Sequence, residues 1–179
     1  MQMRPSHAIE ALKTALECDL PAFFWGAPGI GKSQIVAQVA QSLSMELIDL
    51  RATTLDPVDL RGLPKIDSDD VTRWRAPGFL PHPKSTGRGI LYLDELSSAP
   101  QSMQIACLQL VLDRKLGEYE LPKGWYVMGA GNRMADSAGA FRMISSLANR
   151  FVHIELEANL EDWIQWAIHE GIDPVLPGF

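Results

Sequence analysis

The chain has 179 residues, the size of one ordinary domain, and is long enough to bury a real core. Its 46% hydrophobic and 21% charged residues are globular proportions, which exclude a disordered or fibrous chain. A formal net charge of −6 argues against a dedicated non-specific nucleic-acid binder, though it leaves room for a local basic patch.

The start Met-Gln-Met-Arg-Pro lacks the apolar stretch of a signal peptide, and no apolar run approaches the length of a membrane span. A cytoplasmic protein without membrane contact is expected. Residues 6–17 read as a helix with Ile9, Leu12, Ala15 and Leu16 on one face. Pro21 opens an apolar strand, Ala22-Phe23-Phe24-Trp25, and a helical pattern resumes at Gln34. A second strand is predicted at 45–50 and a single helical turn at 56–60. The stretch 61–89 is rich in Pro and Gly and reads as a long loop, which in a compact domain is usually functional. Inside it a hairpin is predicted, 63–66 against 71–74, turning at Asp67-Ser68-Asp69-Asp70.

Gly89-Ile90-Leu91-Tyr92-Leu93 is a short apolar run typical of a buried parallel strand. The next helix is expected to start near Ser98, with Gln101 completing a capping box and Pro100 in its first turn. Its apolar positions Ile105, Leu108 and Leu112 keep helical spacing. A hairpin is expected next, 116–121 against 125–130, turning at Pro122-Lys123-Gly124. A helix at 144–149, a strand at 151–156 and a helix at 159–170 complete the reading, the last burying Leu160, Trp163, Ile164, Ala167 and Ile168. Cys18 and Cys107 have no metal-like spacing and read as buried small hydrophobes. The four histidines are scattered. Strands alternating with helices predict a parallel sheet in a three-layer α/β domain.

Three motifs carry chemistry. The first is Gly26-Ala27-Pro28-Gly29-Ile30-Gly31-Lys32-Ser33, a glycine-x4-glycine-lysine-serine run between a strand and a helix. Glycines let backbone N–H groups converge on an anion, and the following helix adds the positive end of its dipole. Lys32 can reach the β- and γ-phosphates, and the Ser33 hydroxyl can hold Mg²⁺. The candidate nucleotide-binding segment is Gly26 through Gln34, with ATP and Mg²⁺ as ligands. The second motif is Leu91-Tyr92-Leu93-Asp94-Glu95, a buried strand ending in two carboxylates. Asp94 fits a Mg²⁺ role and Glu95 is placed to polarise an attacking water. Ligands in open α/β sheets bind at strand carboxyl ends, which puts this pair beside the loop. The third is Tyr126 to Asn132, another apolar strand, with Asn132 at its end to hydrogen-bond the water or the γ-phosphate. A simple turn asparagine is the alternative.

With these motifs in their observed order, the sequence resembles an AAA+ ATPase of the MoxR and dynein-related branch over nearly its whole length. The resemblance rests on Gly26 to Ser33 (Walker A), Asp94-Glu95 (Walker B), Asn132 (sensor 1) and Ser146-Leu147-Ala148-Asn149-Arg150-Phe151. It implies a P-loop NTPase domain with a five-stranded parallel sheet ordered 5-1-4-3-2, and assembly into a ring, usually a hexamer. It makes 61–80 the insertion in helix 2 and 116–125 the hairpin before sensor 1, both facing the central pore. It also makes Arg150 an arginine finger inserted into a neighbour's site; a surface arginine paired with Glu155 is the alternative. Arg142 and Arg133 are weaker candidates for subunit contacts, and Arg133 departs from the usual residue after the sensor asparagine. His7 lies where the family places residues near adenine. Residues 1–179 then form the large α/β domain. The small helical lid with its sensor-2 cation is expected after 179, since no Lys or Arg follows Arg150.

Two functional readings remain open from the sequence. The first is a ring-forming remodelling ATPase of MoxR-like chaperone type, acting on a protein partner such as a von Willebrand A-domain protein. The second is a nucleotide-gated nucleic-acid module of the restriction or helicase-loader kind, in which Arg73, Trp74, Arg75 and Arg88 would grip a strand. A GTPase switch lacks support, because Asn132-Arg133-Met134-Ala135-Asp136 does not match a guanine motif.

Overall fold

The computed structural model of the chain describes residues 2–133 and 143–172. Its strands and helices alternate as the apolar periods require. In order they are β1 (Gln2–Met3), α1 (Pro5–Glu17), β2 (Ala22–Trp25), α2 (Lys32–Ser42), β3 (Glu46–Arg51), α3 (Pro57–Arg61), β4 (Leu63–Ile66) and β5 (Thr72–Arg75). Then come β6 (Gly89–Asp94), α4 (Gln101–Asp113), β7 (Lys115–Leu116), β8 (Tyr119–Glu120), β9 (Trp125–Gly131), α5 (Ser145–Ala148), β10 (Val152–Leu156) and α6 (Leu160–His169).

The central sheet has six strands, all parallel, in the order β1-β10-β2-β9-β6-β3. Leaving out β1, this is the expected 5-1-4-3-2 arrangement. The two-residue β1 adds an edge strand that the apolar pattern is too short to announce. Alternation along the strands divides the core in two. Phe23, Leu91, Leu93 and Val127 face α4 and α5, with Met103, Cys107, Leu110 and Leu147. Phe24, Ile90, Tyr92 and Met128 face α1 and α2, with Leu12, Leu16, Val36 and Val39. Each such side chain contributes roughly 1.5–3 kcal/mol by leaving water. Two small antiparallel hairpins, β4–β5 and β7–β8, stand apart from the sheet.

Several expectations need correction. Trp125 to Gly131 is not a hairpin arm: β9 is a central strand between β2 and β6, and the hairpin is β7–β8. A continuous apolar run belongs inside a parallel sheet, covered on both faces. α4 has no capping box at Ser98; a 3₁₀ turn covers Leu96–Ser98 and the helix begins after Pro100 without a side-chain cap. The reciprocal cap is instead at α3, where Asp56 N–H donates to Asp59 Oδ2 at 2.8 Å.

α4 also buries a different face. Met103, Gln104, Cys107, Leu110 and Val111 point inward, while Ile105 and Leu112 are exposed. The helix is apolar on nearly every side, so its period cannot choose a face. In α6 only Ala167 is buried, and Leu160, Trp163 and Ile168 are exposed. Among the described residues nothing covers that apolar side. Cys18 is exposed and Cys107 buried, where burial pushes the thiol up to about 12.

Candidate functional site

β2, β6 and β9 end side by side at Trp25, Asp94 and Gly131, so the residues that follow converge above the sheet. A cavity of about 290 Å³ opens there. Pro28, Gly29, Gly31, Lys32, Ser33 and Gln34 line it from the loop, and Asp94, Glu95, Gly131 and Asn132 from the neighbouring strands. Of the remaining loop residues, Gly26 and Ala27 present carbonyls to the lysine, and Ile30 packs against the core below.

The loop backbone explains its glycines. Gly29 has φ 76° and Gly31 φ 96°, left-handed conformations that a side chain would strain. Gly31 is the N-cap of α2, so Lys32 begins the helix and the positive end of its dipole faces the cavity. Lys32 is buried. Its Nζ donates to Gly26 O at 2.9 Å, Ala27 O at 3.0 Å and Asn132 Oδ1 at 3.0 Å. The first and third motifs are therefore joined by one hydrogen bond.

The second motif is joined to the first through a phenol. The Asp94 carboxylate accepts from Tyr92 OH at 3.3 Å and from Glu95 N–H at 2.9 Å, and Ser33 Oγ lies 3.5 Å from its other oxygen. Ser33 Oγ and Tyr92 OH are 3.4 Å apart. Tyr92 is fully buried, and burial drives its phenol far above the ordinary value, so it stays protonated as a hydrogen-bond group. Two oxygen donors of hard character, Ser33 and Asp94, thus sit together beside the lysine, a set that suits Mg²⁺.

Glu95 has φ 55° and ψ 24°, left-handed for a residue with a side chain. Such a conformation costs on the order of 1–3 kcal/mol and is found at functional positions. Its carboxylate accepts from Thr53 Oγ1 at 2.6 Å and lies 3.8 Å from Arg51 Nε. Arg51 is the last residue of β3, the strand next to β6, and Thr53 lies in the turn that follows it.

Arg150 is placed elsewhere. It follows α5, is exposed, and does not line the cavity. Among the described residues it makes no ion pair, with Glu155 or otherwise. Arg133 is half-buried beside Asn132; Arg142 lies outside the described residues. His7 is exposed on α1. On the β4–β5 hairpin, Arg73 is bound to Asp67 and Asp69 at 2.7–2.9 Å and Arg75 to Asp67 at 2.6 Å. Those bonds hold Asp67 and Asp69 below the usual carboxylate range.

Sequence reasoning missed Tyr92, Thr53 and Arg51. Tyr92 had a signal: in a strand, positions two apart share a face, which sets it beside Asp94. Thr53 and Arg51 had none, since their meeting with Glu95 depends on the pairing of β3 with β6.

A glycine-rich loop at the head of α2, in a parallel α/β sheet, makes this a P-loop NTPase-like fold. The chain belongs to the AAA domain family, dynein-related subfamily, whose family model matches residues 21–151. No curated protein sequence matches it. Among solved structures it is similar to a presumptive ATPase from Cytophaga hutchinsonii, at 18% identity and TM-score 0.68, covering 95% of this chain and 52% of that one. NtrX from Brucella abortus is similar at 18% identity and TM-score 0.56, covering 96% of this chain and 46% of that one. The same protein in complex with ADP gives 17% identity and TM-score 0.60, covering 95% and 42%. At these identities the likeness is one of fold. The chain spans about half the length of the first two of these relatives, 52% and 46%. Among the described residues no helix is long and apolar enough to cross a membrane.

Proposed function

We propose that this domain binds ATP with Mg²⁺ and hydrolyses it, as one subunit of a ring-forming remodelling ATPase. The observation that supports this reading is the convergence of Lys32, Ser33, Asp94 and Asn132 on one cavity at the strand ends, with Lys32 bonded to Asn132 and Ser33 beside Asp94. Gly26 to Gln34 cradle the phosphates. Lys32 places its charge against the β- and γ-phosphates, with Gly26 and Ala27 carbonyls fixing its direction. Ser33 and Asp94 would hold Mg²⁺, which when bound neutralises charge on the phosphate oxygens. Tyr92 fixes the Asp94 rotamer. Glu95 polarises the attacking water and takes its proton. Asn132 orients that water or the γ-phosphate.

Thr53 holds one of the two Glu95 carboxylate oxygens, and we read that contact as a restraint on Glu95 in a chain that is not engaged. Arg150 is read as the residue given to a neighbour's site, completing the charge compensation in a ring, most simply a hexamer. Such an arginine is worth about 10³–10⁵ in rate.

The partner is read as a protein, a von Willebrand A-domain protein being the kind the resemblance implies. The β4–β5 hairpin supports a protein over a nucleic acid. It exposes Leu63, Ile66 and Trp74, while Arg73 and Arg75 are already paired with Asp67 and Asp69. Salt-sensitive single-strand binding would reverse that preference.

Two variants test the site together. Lys32→Ala is expected to abolish ATP binding in a fluorescence titration, and Glu95→Gln to bind ATP normally while releasing no phosphate. Undiminished affinity in Lys32→Ala removes the loop assignment.

A further inference from the structure

We propose that His153 is a positioning residue. It ties the turn carrying Arg150 to the strand that enters the phosphate loop, with Trp25 as its partner. The inference rests on the reading above, in which the loop binds nucleotide and Arg150 is presented to a neighbour.

The geometry fixes the roles of both ring nitrogens. Trp25 Nε1–H is a donor only and lies 2.7 Å from His153 Nδ1, so Nδ1 is the acceptor. Nε2 therefore carries the proton, and it donates to Ala148 O at 2.8 Å. The two rings are stacked, with centroids 6.0 Å apart and planes 24° from parallel. Phe23 packs on Trp25 at 4.5 Å and on Phe151 at 5.4 Å, closing an aromatic cluster between β2 and β10.

Each end of this link touches a different functional element. Trp25 is the last residue of β2, and Gly26 is the first of the loop. The Gly26 carbonyl accepts from Lys32 Nζ, the group that a phosphate would compete for. At the other end, the Ala148 carbonyl also accepts from Phe151 N–H at 3.2 Å, and Arg150 N–H donates to Leu147 O at 3.1 Å. Arg150 thus sits inside the turn whose carbonyl His153 holds.

α5 has only 4 residues and cannot fix its own orientation. Leu147 seats it in the core, and two hydrogen-bonding side chains clamp its ends. Gln104, wholly buried in α4, accepts from Ile144 N–H at 2.8 Å and donates to Ala99 O at 3.0 Å. That clamp anchors the start of α5 to the core. His153 anchors its end, and this second clamp leads by hydrogen bonds through the Trp25 indole to the residue before the nucleotide loop. A displacement of Gly26 as Lys32 turns to phosphate is passed through the indole N–H to the imidazole and on to the arginine turn.

Nuclear magnetic resonance on the ¹⁵N-labelled chain tests this with ADP and with a non-hydrolysable ATP analogue. In the unaltered chain the Gly31 amide, the Trp25 indole N–H and the Arg150 amide are expected to shift together. Trp25→Phe keeps an aromatic ring and removes the donor; His153→Ala removes the link. In both, Gly31 should still shift and the Arg150 response should be lost. His153→Lys can keep a bond to Ala148 O, since an ammonium is a donor only, and offers no acceptor for Trp25. It should leave the nucleotide-free Arg150 signal in place and lose only its response. The inference is overturned if Arg150 responds fully in these variants, or if it stays silent in the unaltered chain while Gly31 shifts. A Gly31 amide that never shifts would instead overturn the nucleotide reading on which the inference stands.

Discussion

The phosphate-loop side of the domain and the Arg150 side are built on opposite principles. Around Lys32 the functional groups are bonded to one another: lysine to asparagine, tyrosine to aspartate, glutamate to threonine. Arg150 is exposed, and only the turn beneath it is held. A group that acts within its own chain can be locked before the ligand arrives, which lowers the reorganisation cost. A group meant for another chain has to stay open to solvent until that chain is present. The contrast is what a shared active site would produce, and it can be broken from either side.

The largest expected effect is on the open side. Arg150→Ala should lower turnover of the assembled protein by about 10³–10⁵-fold, equivalent to about 4–7 kcal/mol of barrier. Mixed with Glu95→Gln subunits, which cannot hydrolyse but still carry Arg150, the variant should regain activity measured by phosphate release. Full activity of Arg150→Ala by itself would end the finger reading.

Next is Gly131→Ala on the locked side. A Cβ there would lie 2.1 Å from Ser97 Oγ and 3.1 Å from the Phe23 ring. Overpacking at such a point costs about 1–3 kcal/mol, readable as a lowered Tm. Smaller still is Thr53→Val, which removes the bond to Glu95. Turnover should rise by between about twofold and tenfold, the equivalent of about 0.5–1.5 kcal/mol, with unchanged ATP affinity. A fall in rate would mean that Thr53 holds Glu95 in its working position.

The smallest concerns a contact remote from both sides. Asp162 accepts from Ser6 N–H at 2.7 Å and from Arg4, and the Arg4 bond draws its pKa from 3.8 down to about 2. A carboxyl depressed by folding stabilises above its unfolded pKa and loses that contribution as pH falls through the folded value. Asp162→Asn should therefore lower Tm by a few degrees at pH 7, a difference that fades between pH 3.8 and about 2. A gap that persists at pH 2 would rule out this charge as its source.

Much of the locked side was legible in the sequence, because its residues are set by local rules. Gly29 and Gly31 are needed where the chain turns left-handed, and apolar runs ending in Asp94 and Asn132 mark strand ends. The strand order came with the family resemblance that these motifs carry, and the sheet bears it out apart from β1. What escaped was decided by pairing between distant segments. Thr53 meets Glu95 only because β3 lies beside β6, and His153 meets Trp25 only because β10 lies beside β2. The faces of α4 and α6 escaped for a different reason. α4 is apolar almost all round, so that polar Gln104 is buried while Ile105 is exposed; the apolar side of α6 is uncovered among the described residues. A period alone gives no choice between such faces. The hairpin misread at 116–130 came from taking Pro122-Lys123-Gly124 as a reversal, where the chain instead enters the sheet.

The edge strand β1 has a consequence for how the chain is made. Gln2 and Met3 pair with Glu155 and Leu156, and β10 lies between β1 and β2. Of the six strands of this sheet β1 is made first, and it has no neighbour until β10, the last of them, arrives. Until then β2 keeps one side unpaired, just below the loop, and β1 cannot join the sheet at all. Long-range closure of this kind is slow and leaves an open strand edge that invites wrong pairing. A nascent chain halted before residue 152 should accordingly be protease-sensitive at both edges of that gap, and become resistant in one step once β10 slots in.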